Sequence, residues 1–351
     1  MLVKTIKGLG LVILLLFVLL LLLDETSGEY VDIEFSAAGN QLSGVMVLPE
    51  NPDIQAGKDM PIVIFVHGDG ALNADTYGYY RPIFSALAER GIASLSWSKA
   101  GVEGSSGNWL AQSMQDRAEE VKSAIQYIQQ QGYSTKRIGV LGFSQAGWVI
   151  PYLADEPNID FITLVGGAIN WRTQSQYLIK QRLLSSGQIK PGEPDVANAI
   201  AEYEQLQYQA IALGFDGYQS AAVHQHPFAG EPITDKARFN FVSRNIDEDA
   251  RKGLANLTVP MLALFGDHDL NVDIEQSQAV YQQIFNQNPQ ATLTQKVIKN
   301  ATHGLLRDDI FLHLDDIEWL IKFEWHGKDA FAPGALLTLT DWIAQQANQA
   351  Q

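Results

Sequence analysis

From residue 30 onward the chain keeps two hydrophobic rhythms. Residues 30–36 and 40–48 read as two strands meeting at Gly39-Asn40, the signature of a hairpin. Four short, continuous apolar runs follow at 62–66, 92–97, 138–141 and 161–165. Between them the spacing lengthens to that of a helix. Ile83, Phe84, Leu87 and Ala88 mark one helix, stopped at Gly91, and Ala118, Val121, Ile125 and Ile128 mark another, stopped at Gly132. Short strands that are apolar throughout, alternating with helices, predict a mainly parallel sheet covered on both faces, an α/β architecture.

The rhythm breaks after Gly167. Residues 168–258 are polar, rich in Gln and helical in places, notably 196–213. Strand-like runs return at 259–265 and 292–298, and a last helix is expected near 336–345. This layout predicts a core built from residues 29–167 and 259–351, interrupted by a cap or lid at 168–258. No internal repeat is visible.

The first 28 residues stand apart. Lys4 and Lys7 precede an unbroken apolar run from Leu9 to Leu23, and Asp24, Glu25 and Glu29 follow it. Positive charge before and negative charge after leave the N-terminus in the cytoplasm and carry the body across. The expectation is a signal anchor over 8–23 or a signal peptide that is cleaved. No clear small-residue cleavage site follows the run, which favours the anchor. Either way the body works outside the cytoplasm.

Composition narrows the choices. With 351 residues and 46% hydrophobic content the chain can bury a full core. A formal net charge of −16 argues against nucleic acid or an anionic membrane surface as partner. There is no cysteine, so disulfides, thiolate metal sites and a cysteine nucleophile are excluded.

The chemistry centres on Gly142-Phe143-Ser144-Gln145-Ala146-Gly147, which follows a strand and opens a helix. A sharp strand-to-helix turn strains the serine backbone and admits only small neighbours, which accounts for Gly142, Ala146 and Gly147. The turn lifts the Ser144 hydroxyl above the sheet. A hydroxyl needs an aligned base to attack a carbonyl. His303, in a loop past the last strand, is the candidate base, and Asp269, past the preceding strand, is the candidate orienting acid, with Asp267 as its rival. The order Ser, Asp, His is the one this architecture requires. Backbone amides of Gln145 and of the loop at Asp69 or Gly70, in His67-Gly68-Asp69-Gly70, would receive an oxyanion. His67 reads as a structural loop residue.

On these motifs the stretches 62–167 and 259–304 resemble the α/β-hydrolase superfamily, near bacterial esterases related to dienelactone hydrolases and serine aminopeptidases. Residues 95–107 resemble that family's Tyr-Asp-x-Arg-Gly-x-Gly-x-Ser segment, with Ser98 and Ala100 where the family carries Asp and Arg. The resemblance implies an α/β-hydrolase fold, a helical cap that sets specificity, and acyl transfer without cofactor or metal. The expected partner is a small-molecule acyl substrate, most readily a carboxylic ester, with membrane contact through the N-terminal segment only. A peptidase or acyltransferase on the same triad remains open, as does an inactive binding protein.

Other signals are weaker. Asp267, Asp269, Asn271 and Asp273 alternate like a calcium loop, but Val272 and Gln278 stand where glycine and glutamate are required. His224 and His226 lack further ligands nearby. The sequons at Asn256 and Asn300 are read as chance at least beside His303. Trp109, Trp148 and Trp171 are candidates either for a pocket wall or for core packing.

Overall fold

The computed structural model describes residues 27–51, 58–314 and 316–349, so the apolar run and the anchor-or-signal expectation lie outside the described residues. Among the described residues no helix is long and apolar enough to cross a membrane.

The chain opens on a hairpin, β1 (Glu29–Ala37) and β2 (Asn40–Leu48), paired in antiparallel register from Glu29↔Leu48 to Ala37↔Asn40. The turn residues are Ala38 and Gly39, both at positive φ, the geometry that matches the twist of a two-residue hairpin. The turn is thus one residue earlier than expected. Next come β3 (Ile62–Val66), α1 (Arg81–Ala88), β4 (Ala93–Trp97), α2 (Met114–Gln130), β5 (Ile138–Phe143), the short α3 (Ala146–Val149) and β6 (Ile159–Val165). Five helices intervene before the sheet resumes: α4 (Trp171–Ser185), α5 (Val196–Ile211), α6 (Gly214–Gln219), α7 (Lys236–Asn245) and α8 (Arg251–Leu254). The chain closes with β7 (Met261–Gly266), α9 (Ile274–Asn286), β8 (Leu293–Ile298), α10 (Asp308–Phe311), α11 (Asp316–His326) and α12 (Ala335–Gln349).

The eight strands form one sheet in the order β1-β2-β4-β3-β5-β6-β7-β8, antiparallel at β1–β2 and β2–β4 and parallel elsewhere. This is the α/β-hydrolase fold. Every residue of β3, β4, β5 and β7 is buried, as strands covered on both faces require. One face is closed by a cluster containing Ala118, Val121, Ile125 and Ile128 of α2, the other by one containing Ile83, Phe84 and Leu87 of α1 with Leu339 and Ile343 of α12. Burying each such Val, Leu or Ile contributes about 1.5–3 kcal/mol. Helix α2 starts on a capping box, Ser113 Oγ accepting from Asp116 N–H and the Asp116 carboxylate accepting from Ser113 N–H.

Helices α4 to α7 pack around a separate cluster that includes Ile179, Leu183, Ile200, Tyr203, Tyr218 and Phe239, while Phe241 of α7 and Leu254 of α8 join the core beneath. The two ends of this excursion are joined at its base. Asn170 bridges Asp249, Trp171 N–H donates to Glu248 O (3.0 Å), and Ala250 N–H donates to Ile169 O (2.8 Å).

Candidate active site

Strand β5 passes into α3 at Ser144, whose backbone sits at φ +50°, a left-handed conformation uncommon for a residue with a Cβ. The turn is tight. A Cβ at Gly142 would meet Ala146 Cβ at 2.7 Å, and one at Gly147 would meet Ala168 O at 2.7 Å. Those distances are the physical reason for small residues at 142, 146 and 147. Ser144 N–H donates to Val165 O of β6 (2.8 Å), fixing the turn at the carboxyl edge of the sheet.

His303 arrives on the loop after β8. Its Nδ1–H donates to Asp269 Oδ2 at 2.7 Å, and because an ionised carboxylate only accepts, Nε2 is left as an acceptor. The Asp269 side chain is fully buried, and its other oxygen accepts the N–H groups of Asn271 (2.7 Å) and Val272 (2.9 Å). Burial disfavours the His303 imidazolium, yet the charge and hydrogen bond of Asp269 outweigh it and hold the histidine above its ordinary value. The rival Asp267 instead accepts from Ala301 N–H (3.2 Å) and faces Lys299 (3.4 Å). Asp273 caps α9 by accepting from Gln276 N–H (3.0 Å). The three alternating acids thus share no partner.

Ser144 and His303 line one cavity of about 550 Å3. Among the described residues no hydrogen bond joins them, and contacts of this kind tighten when substrate binds. Room for the imidazole comes from Gly166, a residue the sequence reading passed over. It sits at φ +58°, and a Cβ there would lie 2.7 Å from His303 Cε1 and 2.8 Å from Nδ1.

The loop after β3 forms the neighbouring wall. Gly68 and Asp69 line the cavity, and a Cβ on Gly68 would lie 3.4 Å from Ser144 Cβ, whereas Gly70 is not part of the lining. Gln145 follows Ser144 directly, and its side chain is locked: Nε2–H donates to Asp69 Oδ1 (3.0 Å), while Oε1 accepts from Arg117 Nη1 (2.7 Å). Arg238, from α7 of the inserted helices, binds both oxygens of Asp69 at 3.0 and 2.6 Å. Burial alone would raise the Asp69 carboxyl, but Arg238 with its hydrogen bonds and charge, aided by Lys99, holds it below the usual range. Behind the loop, Lys99 donates to Gly68 O (2.5 Å) and Arg117 to His67 O (2.6 Å). Both cations are buried. Nothing in the sequence pattern singled out Lys99, Arg117 or Arg238.

His67 is a framework residue. Its Nε2–H donates to Trp97 O (2.5 Å), and Nδ1 faces the Tyr80 hydroxyl (3.1 Å). Burial, with Lys99 next in importance, pushes its pKa down to about 3, so it stays neutral. Ser98, where relatives carry an acid, accepts from Ala74 N–H (3.1 Å), and its carbonyl accepts from Ser105 Oγ (2.8 Å). The departure leaves the loop closed.

The opposite wall is apolar, formed by Tyr79, Phe143, Leu306, Phe311, Leu312 and Trp319. Trp109, Trp148 and Trp171 do not line the cavity. Trp148 stacks on Trp171 (4.6 Å, 28°), and Trp109 meets Phe241 edge-on at 5.4 Å, so packing is the fate of all three. His224 Nε2 and His226 Nδ1 engage Tyr218 O (2.7 Å) and Phe228 N–H (3.0 Å).

The family described as serine aminopeptidase, S33, matches residues 57–310. No curated protein matches the sequence. Among solved structures, an esterase of Pyrococcus furiosus aligns at 16% identity over 87% of this chain and 92% of its own, with a TM-score of 0.51. Est1E from Butyrivibrio proteoclasticus, with ferulic acid bound, aligns at 16% identity over 91% and 98%, TM-score 0.54. A proline iminopeptidase of Mycobacterium smegmatis aligns at 16% identity over 92% and 100%, TM-score 0.54. At such identities the likeness concerns the fold.

Proposed function

The chain belongs to the serine aminopeptidase S33 family and is an α/β serine hydrolase, and from that premise we propose that it cleaves a carboxylic ester through an acyl-enzyme. The observation that carries the reading is Ser144 facing the same cavity as His303, whose other nitrogen is bound to the buried Asp269. Ser144 Oγ attacks the carbonyl carbon and His303 Nε2 takes its proton. Asp269 fixes the tautomer and steadies the imidazolium. The amides of Gln145 and Asp69 receive the oxyanion, a donor pair in which each member is worth about 3 kcal/mol of barrier. His303 then returns the proton to the leaving alcohol, and water repeats the sequence to release the acid.

What favours an ester over a peptide is the charge of the cavity. An aminopeptidase must hold a free amine, yet among the described residues the one carboxylate lining the cavity, Asp69, is already bound by Arg238 and Gln145. The family description and the iminopeptidase likeness support the peptidase reading as second choice. No residue of 168–258 lines this cavity; the cap role we assign to the stretch is supported by its contacts at the cavity's edge, Arg238 on Asp69 and Tyr177 on the Asp269 carbonyl. The body works outside the cytoplasm, held by residues 8–23 or released after their removal, a reading supported by the charges flanking that run.

A fluorophosphonate probe tests the nucleophile. It labels the wild type and leaves Ser144→Ala unlabelled, and labelling of both would show that another residue reacts. A matched ester and amide, differing only in the scissile atom, then separate the two readings. Faster turnover of the amide would reject the ester assignment.

A further inference from the structure

Helix α11 is apolar on two sides. Toward the body it presents Trp319, which lines the cavity, and the buried Phe323, stacked on each other at 5.0 Å, with Phe323 beside Tyr79 at 5.8 Å. Away from the body it presents Ile317, Leu320, Ile321 and Trp325, exposed by 73, 41, 64 and 71%. Their three- and four-residue spacing puts them on one side of the helix. Tyr77, 46% exposed, lies on the adjoining loop, next to Gly78, where a Cβ would lie 3.0 Å from Glu324 Oε1. Isolated exposed apolar residues are ordinary, but a contiguous set beside a cavity mouth marks a contact surface.

The position of the N-terminus indicates what covers it. Arg81, at the start of α1, lies 3.8 Å from Glu324 of α11. Near the other end of α1, Ser27 N–H donates to Ser85 Oγ (2.7 Å) and Ser27 Oγ to Glu89 (3.2 Å). The described chain therefore begins one short helix, about 12 Å, from the exposed face. In the sequence, only residues 24–26 separate Ser27 from the apolar run ending at Leu23. Four extended peptide steps reach roughly 14 Å. A body held by that run cannot stand clear of the bilayer, and the outer face of α11 is within the same reach.

We propose that the outer face of α11 sits in the head-group layer of a membrane of neutral phospholipid, and that an apolar ester passes from that layer into the cavity along the helix's inner face. The net charge of −16 selects zwitterionic over anionic lipid. Glu324 lies within the exposed arc, so the helix lies at the interface, its charged head kept at the water side. Membrane contact thus extends beyond the N-terminal segment. The delivery half of the proposal rests on the ester reading above, and the surface half rests on residues 8–23 being kept as the anchor.

Trp325 supplies the probe, because it is the one exposed tryptophan among seven. The full chain is reconstituted with phosphatidylcholine vesicles whose acyl chains carry bromine near the head group. Bromine quenches part of the tryptophan emission of the wild type, and the quenched part falls at least twofold in Trp325→Phe. Equal quenching in both, or none because a second copy of the chain covers the face, overturns the surface. In the second arm, Ile317→Glu combined with Ile321→Glu keeps its rate on a short water-soluble ester and loses at least tenfold on a long-chain ester dissolved in the vesicles. Equal losses on both esters, or none on either, overturn the delivery step. A wild type inactive on both esters refutes the ester reading, and the quenching arm still decides the surface.

Discussion

Two walls of the cavity are built in opposite ways. On the side of the β3 loop, Asp69 lines the cavity and is backed by Gln145, Arg117 and Arg238 in a continuous run of charged and amide groups, bonded one to another at 2.6–3.0 Å. On the apolar side, Tyr79, Phe311 and Trp319 line the cavity with Phe323 packed behind them, at ring distances of 5.0–6.4 Å. The first wall has directional bonds and few tolerable alternatives: Arg117 is buried, so removing its partner strands a buried charge at a cost of about 3–5 kcal/mol, whereas the Arg238–Asp69 pair is more than a third exposed and screened by solvent. The second depends on volume, and volume-conserving swaps in packed apolar groups cost under about 1.5 kcal/mol. Position is therefore fixed on the side where an oxyanion would form. Shape can drift on the side where an acyl or alkyl group would lie.

The largest expected effect is at His303, through its hydrogen bond to Asp269. Asp269→Asn keeps the shape but presents the wrong hydrogen-bonding partner to Nδ1, and kcat falls by roughly 10⁴-fold. The wild-type pH profile carries a matching signature. The neutral imidazole is the base, so kcat/KM falls as pH drops through the folded pKa, which lies above the ordinary 6.5. An acidic limb centred below 6.5 would show that Asp269 does not act on the group that limits the rate.

The polar wall is tested next. Arg238→Ala frees Asp69 from the inserted helices, and kcat falls about tenfold, part of the roughly 3 kcal/mol that one oxyanion donor supplies. Arg238→Lys recovers only part of it, since an ammonium cannot reproduce the two-pronged contact. Full recovery by lysine would mean that charge alone matters there. The apolar wall should respond least. Trp319→Leu enlarges the cavity and moves the preferred substrate toward longer or bulkier chains, with stability changed by about 3 kcal/mol at most. A loss of kcat on every ester equal to that of Arg238→Ala would erase the contrast between the walls.

The contrast also tracks what the sequence reveals. Strands such as β3 and β5 are legible because burial on both faces forces unbroken apolar runs. The turn at Ser144 is legible because only small residues fit around it. Asp269 and His303 stand just beyond strands, where loop groups reach the carboxyl edge. The Arg238–Asp69 contact has no such mark, for an arginine in a polar stretch looks like any solvated one until the fold brings it across 169 positions. Gly166 hides for a different reason, since its role is the space it leaves for His303. Helix α11, apolar on both sides, blurs the stripe by which helices are read, and its Trp319 lines the cavity while the three tryptophans noticed first do not.

The fastening at the base of the inserted helices bears on how such a protein changes over generations. Asn170 and Asp249 pair before the excursion has properly begun, and β6 and β7 are hydrogen-bonded neighbours beneath it. The sheet is complete without the eighty residues in between. Insertions and deletions in the outer turns of that stretch leave the strand register beneath unaltered, so selection can rewrite those turns while the reacting groups stay in place. That independence ends at several residues: Arg238 on Asp69, Tyr177 on the Asp269 carbonyl, and Phe241 and Asn245 packed and bonded against the body, so a replacement must supply other ways to hold these groups.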